Sequence, residues 1–209
     1  HSFPTRRSSD LSKINELGGK VLTISGPDGY VYDKEGISGD KVDYLLELRA
    51  TNNDIVQPYA EEFGAEFHAG KRPWKVPVDV AMPCATENEV GVDDAQNLKK
   101  NGCLLLAEVS NMGCTAEAAE FLTENMIYAP GKAVNAGGVA VSGLEMSQNS
   151  MRINWPREEV DERLKGIMRN IHETCVEYGK NGSNINYVKG ANIGGFVKVA
   201  DAMLAQGVV

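Results

Sequence analysis

Short apolar stretches alternate with amphipathic helical patterns along most of the chain, and this alternation constrains the fold more than any other feature. The segments "VDVAMP" and "GCLLLAEVS" are continuous apolar runs, which are typical of strands buried on both faces of a parallel sheet. Helical patterns separate or follow such runs at about residues 91–100, 115–124, 137–150, 156–179 and 194–205. The alternation predicts an open α/β sheet.

The preceding segment adds a strand, a hairpin and a helix to this prediction. "KVLTIS" resembles a strand, and "GPDGYVYDKEGI" has the turn residues and aromatic alternation of a small hairpin. "SGDKVDYLLELRA" predicts a helix with Ser38 as its N-cap. We expect one parallel sheet over about residues 20–130.

Composition narrows the class of protein. The 209 residues are 42% hydrophobic and carry a net charge of −8, and no basic cluster is dense enough to follow a phosphate backbone, so nucleic acid is excluded as a partner. The cysteines form no CxxC pair, and no apolar run approaches the length of about 20 residues that spans a bilayer. We expect a cytoplasmic protein that has no metal site, does not bind membranes and acts on small molecules.

Four loops carry the residues that could bind a ligand. In open α/β sheets, ligands bind beyond the carboxyl ends of the strands. The loops that follow the predicted strands are rich in small and polar residues; they read "SGPDG", "PCATEN", "SNMGCT" and "PGKAVNAGG". The carboxyl edge of the sheet is therefore the predicted site.

The first loop could meet the ribose of a dinucleotide. Asp28 could accept a hydrogen bond from a ribose hydroxyl, whereas Ser25 and Lys34 could favour a 2′-phosphate. The alternative is a plain Pro-Asp-Gly turn. In the next two loops, Thr86 could donate a hydroxyl and Asn111 an amide, but each loop could equally well only terminate its strand.

Two features leave questions open. No pairing of a nucleophile with a base is evident, so these residues alone indicate no catalytic group. Gly137 and Gly138 lie where a helix is predicted, although glycine costs a helix interior about 1 kcal/mol relative to alanine. They therefore either save space or shape a turn.

Long motifs along the chain carry a family resemblance. "MPCATENE", "AEVSNMGCTAEA", "APGKAVNAGGVAVSGLEMSQN" and "NYVKGANIGGFVKVADAMLAQGV" together resemble the hexameric bacterial glutamate dehydrogenases of the Glu/Leu/Phe/Val dehydrogenase family. The match covers residues 12–209 and resembles the cofactor-binding, C-terminal part of those enzymes. It implies a Rossmann-like parallel sheet, N-terminally truncated, with C-terminal helices.

The resemblance also implies an activity. Enzymes of this family interconvert L-glutamate with 2-oxoglutarate and ammonium by hydride transfer with NAD or NADP, in amino acid metabolism. The sequence as a whole resembles the NADP-using branch that assimilates ammonium, although an acid at the turn of Asp28 commonly suits NAD. A homo-hexamer is implied for the full-length enzyme.

Site residues follow from the same resemblance. It places the turn at Gly26, Pro27 and Asp28, beside Ser25, at the adenine ribose. Residues in the later motifs would bind the remaining parts of the ligands: Ala85 and Thr86 the adenosine side, Asn111 the nicotinamide ribose, Asn135 the nicotinamide end, and Val139 and Ser142 the substrate, with the Ser142 hydroxyl on its distal carboxylate. Gly137 and Gly138 would let the helix start approach the ligands.

The chain also departs from the family pattern. No segment matches the motifs that carry the family's catalytic lysine and aspartate, and "HSFPTRRSSDL" stands where a glycine-rich pyrophosphate turn is expected. We therefore expect residues 1–11 to be a tail of non-native character and residues 12–209 to be a fragment without catalytic residues, inactive alone. The alternatives are a non-catalytic nucleotide-binding module and a dehydrogenase of another amino acid.

Overall fold

The computed structural model describes residues 11–51 and 54–207, which form two compact units that divide between Val78 and Asp79. Residues 1–10 of the predicted tail lie outside the described residues. Residues 11–16 are helical (α1), and Leu11 is buried in the core of the first unit. The folded part therefore includes at least the last residue of the predicted tail.

The first unit is built on a three-stranded sheet of order β1-β2-β3, in which both neighbouring pairs are antiparallel. Its core contains Val31, Ile37 and Tyr59, which are fully buried. After α1 its elements are β1 (Thr23–Gly26), β2 (Gly29–Tyr32), α2 (Asp40–Ala50), α3 (Gln57–Phe63) and β3 (Glu66–Ala69).

One prediction about this unit is confirmed and two are wrong. The hairpin is present: Gly26 pairs with Gly29 across the two-residue turn of Pro27 and Asp28. The same turn reverses the chain, so β1 pairs antiparallel with β2 and does not extend the parallel sheet as predicted. The N-cap of α2 is Gly39 rather than Ser38; its φ of 55° favours glycine, and no side chain caps the helix.

The second unit contains the predicted parallel sheet, of order β4-β5-β6. Its strands are β4 (Val80–Ala81), β5 (Leu105–Ala107) and β6 (Ile127–Ala129), and the connecting helices are α4 (Val92–Lys100) and α5 (Ala116–Asn125). Leu98, Leu106 and Leu122, from α4, β5 and α5, are fully buried. A parallel sheet with helical crossovers is the α/β class that the sequence predicts.

Helices follow the last parallel strand. They are α6 (Gly131–Val134), α7 (Ala136–Met151), α8 (Arg157–Gly179) and α9 (Tyr187–Gln206), with the short hairpin of β7 (Lys180–Asn181) and β8 (Asn184–Ile185) between α8 and α9. The predicted helices match within two residues at each end, except that α9 begins seven residues earlier than expected. Its N-cap is Asn186, whose side chain accepts a hydrogen bond from the Lys189 amide.

Candidate dinucleotide-binding site

The loops that follow β4 and β5 are joined by backbone hydrogen bonds. The Asn88 amide donates to the Met112 carbonyl at 2.7 Å, and the Val90 amide donates to the Gly113 carbonyl at 3.0 Å. Asn88 and Met112 have φ values of 53° and 51°, a left-handed conformation that is uncommon outside glycine. The two loops therefore have one fixed relative position at the carboxyl edge of the sheet.

Pro83 anchors the second of these loops to the first. Its carbonyl accepts hydrogen bonds from the Val109 amide at 3.0 Å, the Ser110 amide at 2.9 Å and the Ser110 hydroxyl at 3.2 Å. Pro83 itself is fully buried. The chain just before Asn111 is thus tied to the end of β4.

Ala85 and Thr86, predicted at the adenosine side, lie in the loop after β4. The Ala85 amide donates to the Glu89 carboxylate at 2.8 Å, and Thr86 is exposed. The small residue therefore sits in a fixed backbone, while the hydroxyl faces solvent. The ligand contacts predicted for Ala85 and Thr86 stay predictions.

Asn111 and Asn135, predicted at the nicotinamide ribose and the nicotinamide end, are brought together. The side-chain Nδ2 of Asn135 donates to Oδ1 of Asn111 at 2.6 Å. Asn135 ends α6 and precedes α7, whereas Asn111 follows β5, 24 positions earlier in the chain. Each amide has more donors and acceptors than this one bond uses, so the pair can also bind a ligand.

Sequence reasoning missed Glu108, a buried carboxylate that is hydrogen-bonded to the segments on which these two asparagines lie. Glu108 is 5% exposed. Its Oε1 accepts from the Cys114 amide at 2.8 Å, and its Oε2 accepts from the Gly131 amide at 2.7 Å and the Tyr128 hydroxyl at 3.0 Å. The available signal was a glutamate at the end of the apolar run "GCLLLA", because a buried acid requires hydrogen-bond partners.

The surroundings of Glu108 are strongly desolvated. Burial, and then the nearby charge of Glu108, raises the pKa of the Cys114 thiol to about 12. Burial, followed by the same charge, also raises the pKa of Tyr128. Both groups therefore stay protonated at neutral pH, and the Tyr128 hydroxyl remains a hydrogen-bond donor.

Val139 and Ser142, predicted to bind the substrate, lie three residues apart on α7, which places them on one helical face. Both are exposed, Val139 by 72%. The Ser142 hydroxyl donates to the Gly138 carbonyl one turn earlier at 3.2 Å. Since a hydroxyl also has two acceptor lone pairs, this bond does not prevent a contact with a ligand.

The predicted ribose turn lies in the first unit. Ser25 and Gly26 end β1, and Pro27 and Asp28 form the hairpin turn. The Asp28 carboxylate accepts from the Val56 amide at 3.0 Å and the Gln57 amide at 2.9 Å, at the start of α3. This capping contact was not predicted. A carboxylate has about four acceptor sites, so it does not exclude a ribose contact.

A Cβ at Gly26 would meet the Asp54 carbonyl oxygen at 2.7 Å, so only glycine fits beside this turn. Lys34, considered for a 2′-phosphate, makes a salt bridge of 2.7 Å with Glu66. That pair is exposed, and such pairs contribute little stability. Lys34 could therefore exchange Glu66 for another anion at small cost.

Two other kinds of site have no candidate in the described part of the chain. Residues 11–51 and 54–207 hold no group of three or more His, Cys, Asp or Glu side chains suited to a metal ion. None of the described helices combines the length and apolarity that crossing a membrane requires.

Comparison with curated proteins identifies close relatives. The chain is 62% identical over 201 residues to the NAD-specific glutamate dehydrogenase of Bacteroides fragilis, and 52% identical over 200 residues to the NADP-specific glutamate dehydrogenase of Escherichia coli. Each alignment covers 95% of this chain and 45% of the relative. The chain thus spans less than half the length of the relatives it matches.

Solved structures and family models agree with these relatives. A solved glutamate dehydrogenase superposes with a TM-score of 0.93 at 49% identity, over 97% of this chain and 46% of that one. The model of the Glutamate/Leucine/Phenylalanine/Valine dehydrogenase family matches residues 8–207. The chain belongs to the Glutamate/Leucine/Phenylalanine/Valine dehydrogenase family.

Proposed function

We propose that this chain forms the dinucleotide-binding part of a glutamate dehydrogenase, which interconverts L-glutamate with 2-oxoglutarate and ammonium. The observation that carries the proposal is the hydrogen bond between Asn111 and Asn135, two residues that lie 24 positions apart in the chain and that the family resemblance assigns to the same half of the cofactor. They lie just beyond the carboxyl ends of β5 and β6, where open α/β sheets bind ligands.

The donor set fits a dinucleotide. Amides supply both donors and acceptors, which suits a ribose hydroxyl and a carboxamide, and Asn111 and Asn135 together offer both. Ala85 and Thr86 supply a small side chain and a hydroxyl on the neighbouring loop. Backbone hydrogen bonds fix the position of that loop against the loop of Asn111, so little conformational freedom is lost on binding.

The bound cofactor supplies the chemistry of hydride transfer. The residues of this chain bind and orient the reactants: the asparagines hold the nicotinamide half, and Ser142 holds the distal carboxylate of glutamate. A hydroxyl at that position suits a carboxylate, whereas a branched aliphatic substrate would require an apolar residue. Ser142 therefore favours glutamate over leucine or valine within the family.

We propose NAD rather than NADP as the preferred cofactor, which reverses the preference stated in the sequence analysis. The NAD-specific relative shares 62% identity with this chain and the NADP-specific one 52%. In addition, a carboxylate at Asp28 would repel a 2′-phosphate beside it. Hexameric assembly and a cytoplasmic location for the full-length enzyme belong to the same proposal.

Titration of the chain with NADH and NADPH, followed by nicotinamide fluorescence, tests the binding step. We expect saturable binding of NADH, weakened about tenfold by Asn111→Ala or Asn135→Ala, as loss of one hydrogen bond to the cofactor predicts. Ser142→Ala is the matched control, because that residue is assigned to the substrate and not to the cofactor. Equal affinity in all four proteins would contradict the assignment.

A chimera tests the activity. This chain would replace the 201-residue segment of the Bacteroides fragilis enzyme to which it aligns at 62% identity. We expect glutamate-dependent reduction of NAD. A folded chimera that binds NADH without turning over glutamate would instead favour a non-catalytic nucleotide-binding module, and turnover of leucine or valine in place of glutamate would favour another amino-acid dehydrogenase.

A further inference from the structure

Glu108 is a buried carboxyl group to which the proposed function assigns no role. It is 5% exposed, and the hydrogen-bond donors that reach it from the described residues are neutral: two backbone amides, a phenol and the Cys114 thiol. Burying a carboxylate without a cationic partner is costly. The segments that these hydrogen bonds hold in place are therefore relevant to function.

The two carboxylate oxygens hold two different segments. Oε1 accepts from the Cys114 amide, at the far end of the loop that contains Asn111. Oε2 accepts from the Gly131 amide, the first residue of α6, where the N-cap Pro130 provides no side-chain cap. The carboxylate of Glu108, the residue that follows β5, thus supplies the missing cap of α6.

These contacts form a closed circuit. The Gly131 amide donates to Glu108, and the Gly131 carbonyl accepts from the Asn135 amide at 2.8 Å. The Asn135 side chain donates to Asn111, and the loop of Asn111 runs on to Cys114, whose amide returns to Glu108. One carboxylate is therefore connected, through Gly131 and Cys114, to the segments that carry both asparagines.

The packing at Gly131 is matched to this arrangement. A Cβ there would lie 2.9 Å from the Ser110 carbonyl oxygen and 3.1 Å from Oε2 of Glu108. Only glycine lets the start of α6 approach both groups so closely. The hydrogen bond between the Gly131 amide and the Glu108 carboxylate therefore requires glycine at position 131.

We propose that Glu108 is a positioning residue, which holds Asn111 and Asn135 in the relative geometry that binds the nicotinamide half of the cofactor. The proposal rests on the proposed function and adds to it a residue that touches neither cofactor nor substrate. This role distinguishes the two halves of the dinucleotide, because loss of Glu108 should weaken binding of the nicotinamide half and leave binding of the adenosine half unchanged.

The test is Glu108→Gln in the full chain. Glutamine has the same shape but only one acceptor oxygen, so its NH2 group must face the amide of either Cys114 or Gly131. We expect the affinity for NADH to fall about tenfold, as for a lost charge-assisted hydrogen bond, while the affinity for ADP, which lacks both the nicotinamide and its ribose, stays unchanged. An equal fall for both ligands, or for neither, would overturn the proposal.

A second measurement does not depend on ligand binding. Solvent exchange of the Asn135 side-chain NH2 protons, followed by nuclear magnetic resonance of the 15N-labelled chain, should be about tenfold faster in Glu108→Gln if the pair is released. Unchanged exchange would overturn the role of Glu108. If the unsubstituted chain binds neither ligand, the proposed function fails, and the exchange rate still decides whether Glu108 holds the pair.

Asp33→Asn is the matched control. Asp33 is likewise 5% exposed and accepts hydrogen bonds from a tyrosine hydroxyl and a backbone amide, all within the first unit. We expect it to leave the ratio of NADH to ADP affinity unchanged; an equal change in that ratio would mean that general destabilisation is the cause. If Glu108→Gln fails to fold, Gly131→Ala loosens the same circuit and should shift the ratio in the same direction.

Discussion

Two buried carboxylates, Asp33 and Glu108, organise the chain at the scale of single residues. Each accepts hydrogen bonds from a tyrosine hydroxyl and from the backbone. Asp33 differs in having a cationic partner, because the Lys41 ammonium donates to it at 2.6 Å. Asp33 should therefore affect stability in a way that depends on pH.

The pKa of Asp33 gives the direction of that dependence. Burial raises this pKa, but hydrogen bonds from Lys41 and Tyr59, the charge of Lys41 and the Glu35 amide together lower it below its ordinary value. A carboxylate with a lowered pKa in the folded state stabilises the protein above its unfolded pKa of about 3.9. The contribution disappears as the pH falls through the lower, folded pKa.

We predict that Asp33→Asn removes this pH dependence. Urea unfolding would be measured for both proteins from pH 7 down to about pH 2, a range that includes the ordinary aspartate pKa. The original chain should be the more stable above about pH 4, and the difference in free energy of unfolding should shrink below it. A difference that stays constant over the whole range would show that the charge of Asp33 is unimportant.

Local sequence patterns could not predict either carboxylate's role. The partners of Glu108 lie 6, 20 and 23 positions away, and Tyr59 lies 26 positions from Asp33. Periodicity and turn chemistry describe residues close together in the chain, whereas these hydrogen bonds depend on tertiary structure. Asn111 and Asn135 were assigned to the cofactor because their motifs resemble those of a known family, and that assignment stays a prediction.

At the scale of secondary structure elements, α8 and α9 pack closely through glycines. A Cβ at Gly190 would collide with the Cys175 carbonyl, and one at Gly194 with the Thr174 side chain. Gly195, the next residue of α9, has open space around it. The glycine-rich start of α9 therefore reflects close helix packing, which explains why its helical pattern is weak and its start was predicted too late.

We predict that Gly190→Ala destabilises the chain by about 1–3 kcal/mol or more, because the backbone of α8 must move away. Gly195→Ala is the control in the same helix, and we expect it to be neutral or to stabilise by up to about 1 kcal/mol. Urea unfolding of both variants measures the effect. Similar stabilities for the two would mean that α8 and α9 separate without cost.

Gly137 in α7 raises a different question. A Cβ there would touch the Leu164 and Met168 side chains of α8 at 3.7 Å, an ordinary van der Waals distance. Packing against α8 therefore does not require glycine at this position. Gly137 also lies inside α7 and is not among the glycines of positive φ, so it shapes no turn, and the remaining explanation is that glycine lets a ligand approach the helix start.

We predict that Gly137→Ala leaves stability unchanged or raises it by up to about 1 kcal/mol, while it weakens binding of NADH. Gly143→Ala, in the same helix with open space around it, should raise stability similarly without changing NADH affinity. Unfolding and nicotinamide fluorescence would be measured on the same samples. Unchanged NADH affinity in Gly137→Ala would remove the ligand explanation.

At the scale of the whole molecule, the class of fold was easier to predict from the sequence than which strands pair in which sheet. The parallel order β4-β5-β6 follows from two apolar runs and helical crossovers. The hairpin at Pro27 and Asp28 was also predicted, but its consequence, an antiparallel first unit, was not. Strand pairing depends on partners that a local pattern does not identify.

The last prediction requires the whole enzyme, because it concerns the substrate. Ser142 is exposed on α7 and its hydroxyl bonds to the Gly138 carbonyl one turn earlier, so replacing it should cost the fold little. In the Bacteroides fragilis chimera, Ser142→Ala should lower kcat/KM for glutamate by about one to two orders of magnitude, as for a lost charge-assisted hydrogen bond.

Norvaline, which lacks the distal carboxylate, separates the two explanations of this serine. If the hydroxyl binds that carboxylate, Ser142→Ala should lower kcat/KM for glutamate far more than for norvaline, and the affinity for NADH should stay the same. If Ser142 is only a small residue on a packed helix, alanine should be tolerated with both substrates. An equal loss for glutamate and norvaline would likewise contradict the carboxylate contact, because only glutamate has the group that the hydroxyl is proposed to bind.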